Sequence, residues 1–187
     1  MHSPQTGFTL TELLTALMIA SILVATGAPA LSASRDKARA NHTTQNALHA
    51  IQHARTLAIH HQSGVITLCG SSDGHACSND WSQGWILFAD DNNNHRWDAD
   101  EPLHQKDQHS LDGQLRWRGS AGRPYLRFTA VGYAMEFGSL TYCAPDHDPR
   151  HARQITINRP GRARLSRDRN GDGIHEDSYD KPLDCAS

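Results

Sequence analysis

The chain opens with a long apolar stretch. Phe8 to Leu31 spans 24 residues and contains a single charged side chain, Glu12. As an α-helix, 24 residues extend about 36 Å, more than the ~30 Å hydrocarbon core of a bilayer. The pattern predicts a hydrophobic helix over residues 8–31, in a membrane or in the core of a filament. A carboxylate near the end of such a span is costly and usually has a function.

Helical periodicity continues beyond residue 31. No Gly or Pro occurs from Ser32 to His61. Apolar residues recur at spacings of three and four, which is typical of an amphipathic helix: Ala47, Leu48, Ile51, Ala54, Leu57 and Ala58. We therefore predict one helix from about Thr9 to His61. Its second half, residues 32–61, should pack on a globular domain formed by residues 62–187.

From residue 65 the pattern changes to short apolar runs separated by polar turns, which is typical of strands. The predicted strands are Val65–Cys69, Gly84–Ala89, Leu103–Lys106, Gln114–Arg118, Tyr125–Thr129, Ala134–Phe137, Leu140–Cys143, Gln154–Ile157 and Arg162–Ser166. No pattern of helical length separates them, so the strands should be antiparallel. A helix followed by many strands indicates an α+β domain.

The charge distribution is uneven along the chain. The net charge is −2, and 15 of the 18 basic residues are Arg. Between Gly113 and Arg169 there are 11 Arg and four acidic residues. The neutral total therefore conceals one strongly basic stretch. The planar guanidinium group suits bidentate contacts with phosphate.

Four cysteines follow the hydrophobic segment, and an even number in an exported domain predicts two disulfides. Three pairings are possible. We favour Cys69–Cys77, which closes a short polar loop, and Cys143–Cys185, which ties down the C-terminal tail. A zinc site is the alternative because the chain contains 13 His. No CxxC pair occurs among the cysteines.

The N-terminus resembles the type III signal of type IV pilins and type II secretion pseudopilins. Gly7 and Phe8 precede the apolar helix, and Glu12 lies four residues after Phe8. The resemblance implies that a prepilin peptidase cuts the leader 1–7 after Gly7 and methylates the Phe8 amine. It also places Glu12 at the glutamate position of the family. An ordinary signal peptide is the alternative, but its cleavage site would follow the apolar core.

The globular part resembles the GspH/FimT family of pilins and pseudopilins. The resemblance rests on the stretch from Asp80 to Phe88 with its Asp/Asn-rich turn, on Glu101-Pro102-Leu103, and on Phe128-Thr129-Ala130-Val131-Gly132. It implies an N-terminal helix packed on a two-sheet antiparallel β-sandwich, with major and minor pilins as partners.

Near the C-terminus, Gly161-Arg162-Ala163-Arg164 resembles the Gly-Arg-x-Arg motif of the FimT branch, whose members bind DNA in natural transformation. In a strand, Arg162 and Arg164 project from one face. The resemblance implies that these two arginines bind double-stranded DNA without sequence specificity, with Gly161 forming the turn. The neighbouring Arg153, Arg159 and Arg167 would add phosphate contacts.

Two alternatives remain for these arginines. They could serve solubility, or they could form salt bridges between subunits. No cluster of aromatic residues interleaves them, so stacking on bases is not predicted.

Two Asp/Asn-rich loops resemble calcium loops in their spacing. Asp168, Asn170 and Asp172 match the opening of such a loop, but Tyr179 stands where a strict EF-hand needs Glu. The loop from Asp90 to Glu101 lacks the central Gly. We regard calcium as a secondary possibility and otherwise expect no metal or cofactor.

The chain contains no P-loop or HExxH sequence, and we expect no enzymatic activity. The expected location is the inner membrane with a periplasmic domain before assembly, and the pilus or cell surface afterwards. Arg35, Lys37 and Arg39 after the span favour the opposite orientation, but the cleavage motif and the cysteines favour export. The alternative function is structural: a minor pilin that primes pilus assembly, or a type II secretion pseudopilin without DNA binding.

Overall fold

The structure, a computed structural model, describes residues 9–60 and 65–185. The chain divides into two compact units, Met1–Ala38 and Arg39–Ser187. The helix α1 runs from Leu10 to His60. Thr9 caps it, because the Thr9 hydroxyl accepts a hydrogen bond from the Glu12 N–H at 3.3 Å. Thr9 and Glu12 have the spacing of a capping box.

In the first unit, large apolar side chains of α1 are exposed. Leu10, Leu17 and Val24 have exposed fractions of 77%, 59% and 68%. Among the described residues no helix reaches the length and apolarity needed to cross a membrane.

In the second unit, one face of α1 enters the core. Ala47, Ile51, Ala54 and Ala58 are at most 1% exposed. Leu48 and Leu57 are partly buried and pack against the same cluster. The predicted amphipathic stripe is therefore confirmed. Small Ala side chains allow the helix to approach the strands closely.

Within the described residues, eight strands form two antiparallel sheets of four strands each. The strands are β1 Ile66–Gly70, β2 Gly84–Ala89, β3 Leu103–Gln108, β4 Gln114–Gly119, β5 Tyr125–Phe128, β6 Gly138–Cys143, β7 Arg153–Ile157 and β8 Ala163–Leu165. The first sheet has the order β3-β2-β1-β5, and the second has the order β4-β6-β7-β8. Short 3₁₀ helices occur at Ser120–Gly122 and Pro149–His151. The predicted α+β architecture, a helix packed on two antiparallel sheets, is confirmed.

One apolar cluster joins the helix to both sheets. Trp81 and Trp117 are its largest fully buried side chains, and their ring centroids are 6.5 Å apart. Every buried apolar side chain of the described chain lies at residue 40 or later. The second unit therefore has a complete core, and we expect it to fold without the first.

Both predicted disulfides are formed. Cys69 bonds to Cys77 and Cys143 bonds to Cys185. No free cysteine remains in the described chain to hold zinc.

Two strand predictions need correction. Ala134–Phe137 is not a strand, since only an isolated bridge joins Ala134 to Phe128. The predicted strand Arg162–Ser166 is shorter, because β8 comprises only Ala163–Leu165. Arg162 therefore belongs to the preceding turn rather than to the strand.

Candidate nucleic-acid interface

A tight turn, residues 158–162, connects β7 to β8 and begins the Gly-Arg-x-Arg sequence. We call it the arginine turn. The Asn158 N–H donates to the Arg162 carbonyl at 3.2 Å, and the Gly161 N–H donates to the Asn158 carbonyl at 2.9 Å. The Asn158 side-chain oxygen accepts the Arg162 N–H at 2.9 Å. Gly161 has φ = +74°, in the left-handed region that favours glycine. These bonds hold Arg162 at the entrance of β8, with Arg164 inside the strand.

This turn packs against a second glycine turn, at Gly132. A Cβ atom added to Gly161 would lie 2.2 Å from the Gly132 carbonyl oxygen, so only glycine fits there. The Arg55 Nε atom on α1 donates to the same carbonyl at 3.0 Å. The Arg159 carbonyl accepts the Ala134 N–H at 3.0 Å. Two sequence motifs about 30 residues apart therefore form one packed structure against α1.

Sequence reasoning missed Arg55. Its side chain bonds to a residue 77 positions away. Its position beside the amphipathic stripe of α1 is ordinary for a helical arginine, so no local signal identifies its partner.

Four arginines line one open groove beside this turn. The groove has a volume of about 830 Å³, and Leu48 of α1 forms part of its wall. The arginines that line it, all exposed, are Arg162, Arg164, Arg167 and Arg169. Arg162 and Arg164 also line a neighbouring groove of about 440 Å³ that includes Arg55. The fold thus concentrates guanidinium groups that the sequence places in succession.

Acidic groups compensate only part of this charge. The guanidinium of Arg169 pairs with Asp180, and the Arg169 N–H donates to the buried Glu176 at 2.9 Å. Within residues 9–60 and 65–185, no carboxylate pairs with Arg162, Arg164 or Arg167. These three cations therefore remain available to an anionic ligand.

Arg153 differs from its neighbours because its side chain is buried, with 3% exposure. Its Nε atom donates to the Asn41 side chain at 2.9 Å, and a terminal nitrogen donates to the Ala152 carbonyl at 2.7 Å. Burial lowers the pKa of this guanidinium. Arg153 therefore connects β7 to α1, and this position argues against the predicted phosphate contact.

Arg159 is exposed in the same turn but is not among the described residues that line the groove. Its guanidinium carbon is 5.0 Å from the centroid of the Phe137 ring. Phe137 is 40% exposed. The fold therefore brings an aromatic ring to the arginine turn, although none is near it in the sequence.

The family described as type II transport protein GspH matches residues 43–161. A prokaryotic N-terminal methylation motif matches residues 2–28. The chain belongs to the GspH family. It is a minor pilin or pseudopilin of the GspH/FimT type. The GspH match ends at Gly161, so Arg162 and Arg164 lie beyond it.

Solved structures of a type IV minor pilin resemble the fold. A crystal structure of the type IV minor pilin FimU of Pseudomonas aeruginosa has a TM-score of 0.50 and 18% identity, and covers 73% of this chain and 91% of FimU. A second crystal form has a TM-score of 0.47 and 17% identity, and covers 68% and 92% respectively. At this identity the likeness shows the fold alone. No match was found among curated protein sequences.

Membership in the GspH family bears on several predictions made from the sequence. Pilins are structural proteins and not enzymes. The methylation motif and the family indicate an inner-membrane anchored pilin that contacts a prepilin peptidase and other pilins. Gly7 and Phe8 lie outside the described residues. Glu12 is exposed in the first turn of α1, where a negative charge favours the helix dipole.

The second calcium candidate forms a compact acidic cluster. Ligand oxygens of Asp168, Asp172 and Glu176 lie within 4.8 Å of one another. The Asn170 side chain donates to the Asp172 carboxylate at 2.9 Å and accepts the Asp172 N–H at 2.9 Å. The N–H groups of Gly171 and Gly173 lower the pKa of Asp168. The calcium prediction for this loop stays a prediction.

The loop from Asp90 to Glu101 has a structural role. Asp90 and Glu101 are both buried. Asp90 accepts the N–H of Asn94 at 3.0 Å, and Glu101 accepts the N–H of Asp91 at 3.0 Å. These carboxylates therefore stabilise the backbone of their own loop.

Proposed function

We propose that this GspH-family protein is a minor type IV pilin that binds extracellular double-stranded DNA for uptake in natural transformation. The supporting observation is the groove in which Arg162, Arg164 and Arg167 carry exposed guanidinium groups that pair with no carboxylate among the described residues. The DNA backbone is the anionic ligand that such a groove suits best. Arg159, in the same turn, adds a further exposed cation.

The chemistry of the groove favours phosphate contact without base recognition. Guanidinium groups form bidentate bonds to phosphate oxygens. Such contacts position DNA but carry no sequence information. The groove is also open, and its lining holds no aromatic side chain. We therefore expect binding that depends strongly on salt and weakly on sequence.

The N-terminal segment would place this groove outside the cell. In this proposal the peptidase cuts after Gly7 and methylates Phe8, and Glu12 helps to seat the helix in the filament. The globular unit would be periplasmic before assembly and would reach the pilus or cell surface afterwards. Retraction would then bring bound DNA towards the cell.

The test is a gel shift with labelled duplex DNA and the fragment 35–187, which contains the complete core. Arg162→Gln/Arg164→Gln should weaken binding at least tenfold, since each charged contact contributes about 1 kcal/mol or more. Arg116→Gln/Arg118→Gln is the matched control, with the same charge change and spacing on the exposed face of β4. It should bind as the unchanged fragment does. An equal loss of DNA affinity in both double variants would refute the assignment of the site.

A second candidate is a purely structural subunit, either a minor pilin that primes assembly or a type II secretion pseudopilin. The description of the matching family as a type II transport protein favours it. Deletion of the gene separates the candidates. Loss of transformation with intact pili supports DNA binding, whereas loss of pili or of secretion supports the structural role.

A further inference from the structure

Four large apolar side chains of the segment between β5 and β6 face solvent. The exposed fractions are 73%, 56%, 44% and 40% for Val131, Tyr133, Met135 and Phe137 respectively. The residues between them, Gly132, Ala134 and Glu136, are buried. We call these four side chains the apolar stripe. Large exposed apolar patches typically mark binding sites.

A buried ion pair determines the direction of the stripe. Glu136 is 0% exposed, and its carboxylate lies 2.7 Å from the Arg127 guanidinium. The Arg127 carbonyl accepts the Met135 N–H at 2.9 Å. Because Glu136 is held inward, the neighbouring Met135 and Phe137 point outward. Exposure of the stripe therefore follows from the fold.

The apolar stripe adjoins the arginine turn. The Ala134 N–H donates to the Arg159 carbonyl at 3.0 Å, and the Arg159 guanidinium lies 5.0 Å from the Phe137 ring centroid. At the other end of the stripe, Ile59 of α1 packs beside Gly132 and is itself 43% exposed. These contacts place the stripe beside the turn.

The charges around the stripe select its ligand. Arg159 and Arg123 border it, and Arg123 is 46% exposed although it pairs with Glu136. The one acidic residue inside the segment, Glu136, points inward. A ligand that fits must present negative charge together with flat apolar groups. Nucleic acid with unpaired bases has both, because base rings stack on aromatic side chains while arginines contact the phosphates.

We infer that the apolar stripe binds unpaired bases of single-stranded DNA, with Tyr133 and Phe137 as stacking groups. The inference rests on the proposed function, since the same DNA backbone would continue to the arginine turn. A blunt duplex hides its bases and would engage the arginine groove alone. The protein would therefore bind single-stranded regions and frayed ends in addition to intact duplex.

The test compares two probes by fluorescence anisotropy with the fragment 35–187. One probe is oligothymidine of about 20 nucleotides, longer than the ~4–16 nucleotides that a single binding domain covers. The other is a blunt duplex of equal length. Tyr133→Ala/Phe137→Ala should weaken binding of oligothymidine about tenfold, as expected for loss of base stacking. Duplex binding should change less than twofold. Tyr179→Ala, at an aromatic side chain with 80% exposure, is the matched control and should change neither.

Each other result has a definite meaning. Equal binding of oligothymidine by the unchanged fragment and the double variant overturns the inference, as does equal weakening of both probes. Duplex binding without any oligothymidine binding overturns the inference alone and leaves the proposed function standing. Absence of binding to both probes overturns both. If the double variant binds DNA normally but no longer copurifies with another pilin, the stripe is a protein contact and the inference is wrong.

Discussion

At the scale of single residues, Gly161 determines the geometry of the arginine turn. It combines φ = +74° with a contact that excludes a side chain, because a Cβ atom would lie 2.2 Å from the Gly132 oxygen. The turn must shift if any other residue occupies this position. Arg162 follows it directly, so its position depends on the glycine.

Gly161→Ala should therefore lower the free energy of unfolding by about 2–4 kcal/mol, from the left-handed φ and the collision together. Urea denaturation of the fragment 35–187 measures this. Gly171→Ala is the control, because Gly171 has φ = +80° and no atom within 4 Å of the added carbon. It should cost about 1 kcal/mol. An equal loss of unfolding free energy in the two variants would contradict the packing described for Gly161.

A second residue with a testable role is Asp73 in the loop after β1. The N–H groups of Ala76 and His75 lower the pKa of its carboxyl from 3.8 to about 2. Because the folded-state pKa is the lower one, the stabilisation is complete above about pH 4. It is lost as the pH falls towards 2.

Asp73→Ala should reduce the free energy of unfolding by about 1 kcal/mol at pH 7, a modest effect because the group is exposed. Denaturation curves from pH 7 to pH 2 should show the difference between variant and parent shrinking below pH 4. A difference that stays constant over this range would exclude the carboxylate as its source.

Residue types were easier to predict than residue partners. The arginines around Gly161 could be identified from the sequence, because their number and spacing are local properties. The burial of Arg153 could not, because it depends on Asn41, which is 112 positions away. The proximity of Phe137 to Arg159 has the same origin, since only the tertiary fold brings these residues together.

At the scale of elements, local periodicity predicted the helix and most strands. The amphipathic stripe of α1, from Ala47 to Ala58, has the helical repeat, and the structure buries that face of the helix. Ala134–Phe137 shows where periodicity misleads. Exposure alternates along this segment as in a strand, but its N–H groups bond to the separate carbonyls of Arg159 and Arg127. A regular ladder of backbone hydrogen bonds to one partner strand therefore does not form.

The two disulfides close loops of different length. Cys143–Cys185 closes a separation of 42 residues, and Cys69–Cys77 closes one of eight. Loop-closure entropy gives upper values of about 4 and about 2.6 kcal/mol respectively.

Replacing Cys143 and Cys185 by Ser should therefore lower the free energy of unfolding more than replacing Cys69 and Cys77. Thermal unfolding of the two double variants measures the order. The reverse order would show that the longer disulfide does not constrain the unfolded chain as described.

At the scale of the whole molecule, the net charge of −2 conceals a cationic groove. The groove is lined by Leu48 of α1, by β8 and by the tail around Glu176. The path of this tail could not be derived from the sequence. It depends on backbone bonds such as the Glu176 N–H to the Arg167 carbonyl at 3.0 Å.

The measurement that tests the central claim most directly is the salt dependence of duplex binding. The logarithm of the binding constant should fall linearly with the logarithm of salt concentration, with a slope of about −0.9 for each phosphate contact. Arg162→Gln/Arg164→Gln should reduce the magnitude of the slope by about 1.8, because two contacts are lost. Arg116→Gln/Arg118→Gln should leave the slope unchanged. An unchanged slope in the first variant, or an equal reduction in both, would contradict the assignment of DNA binding to this turn.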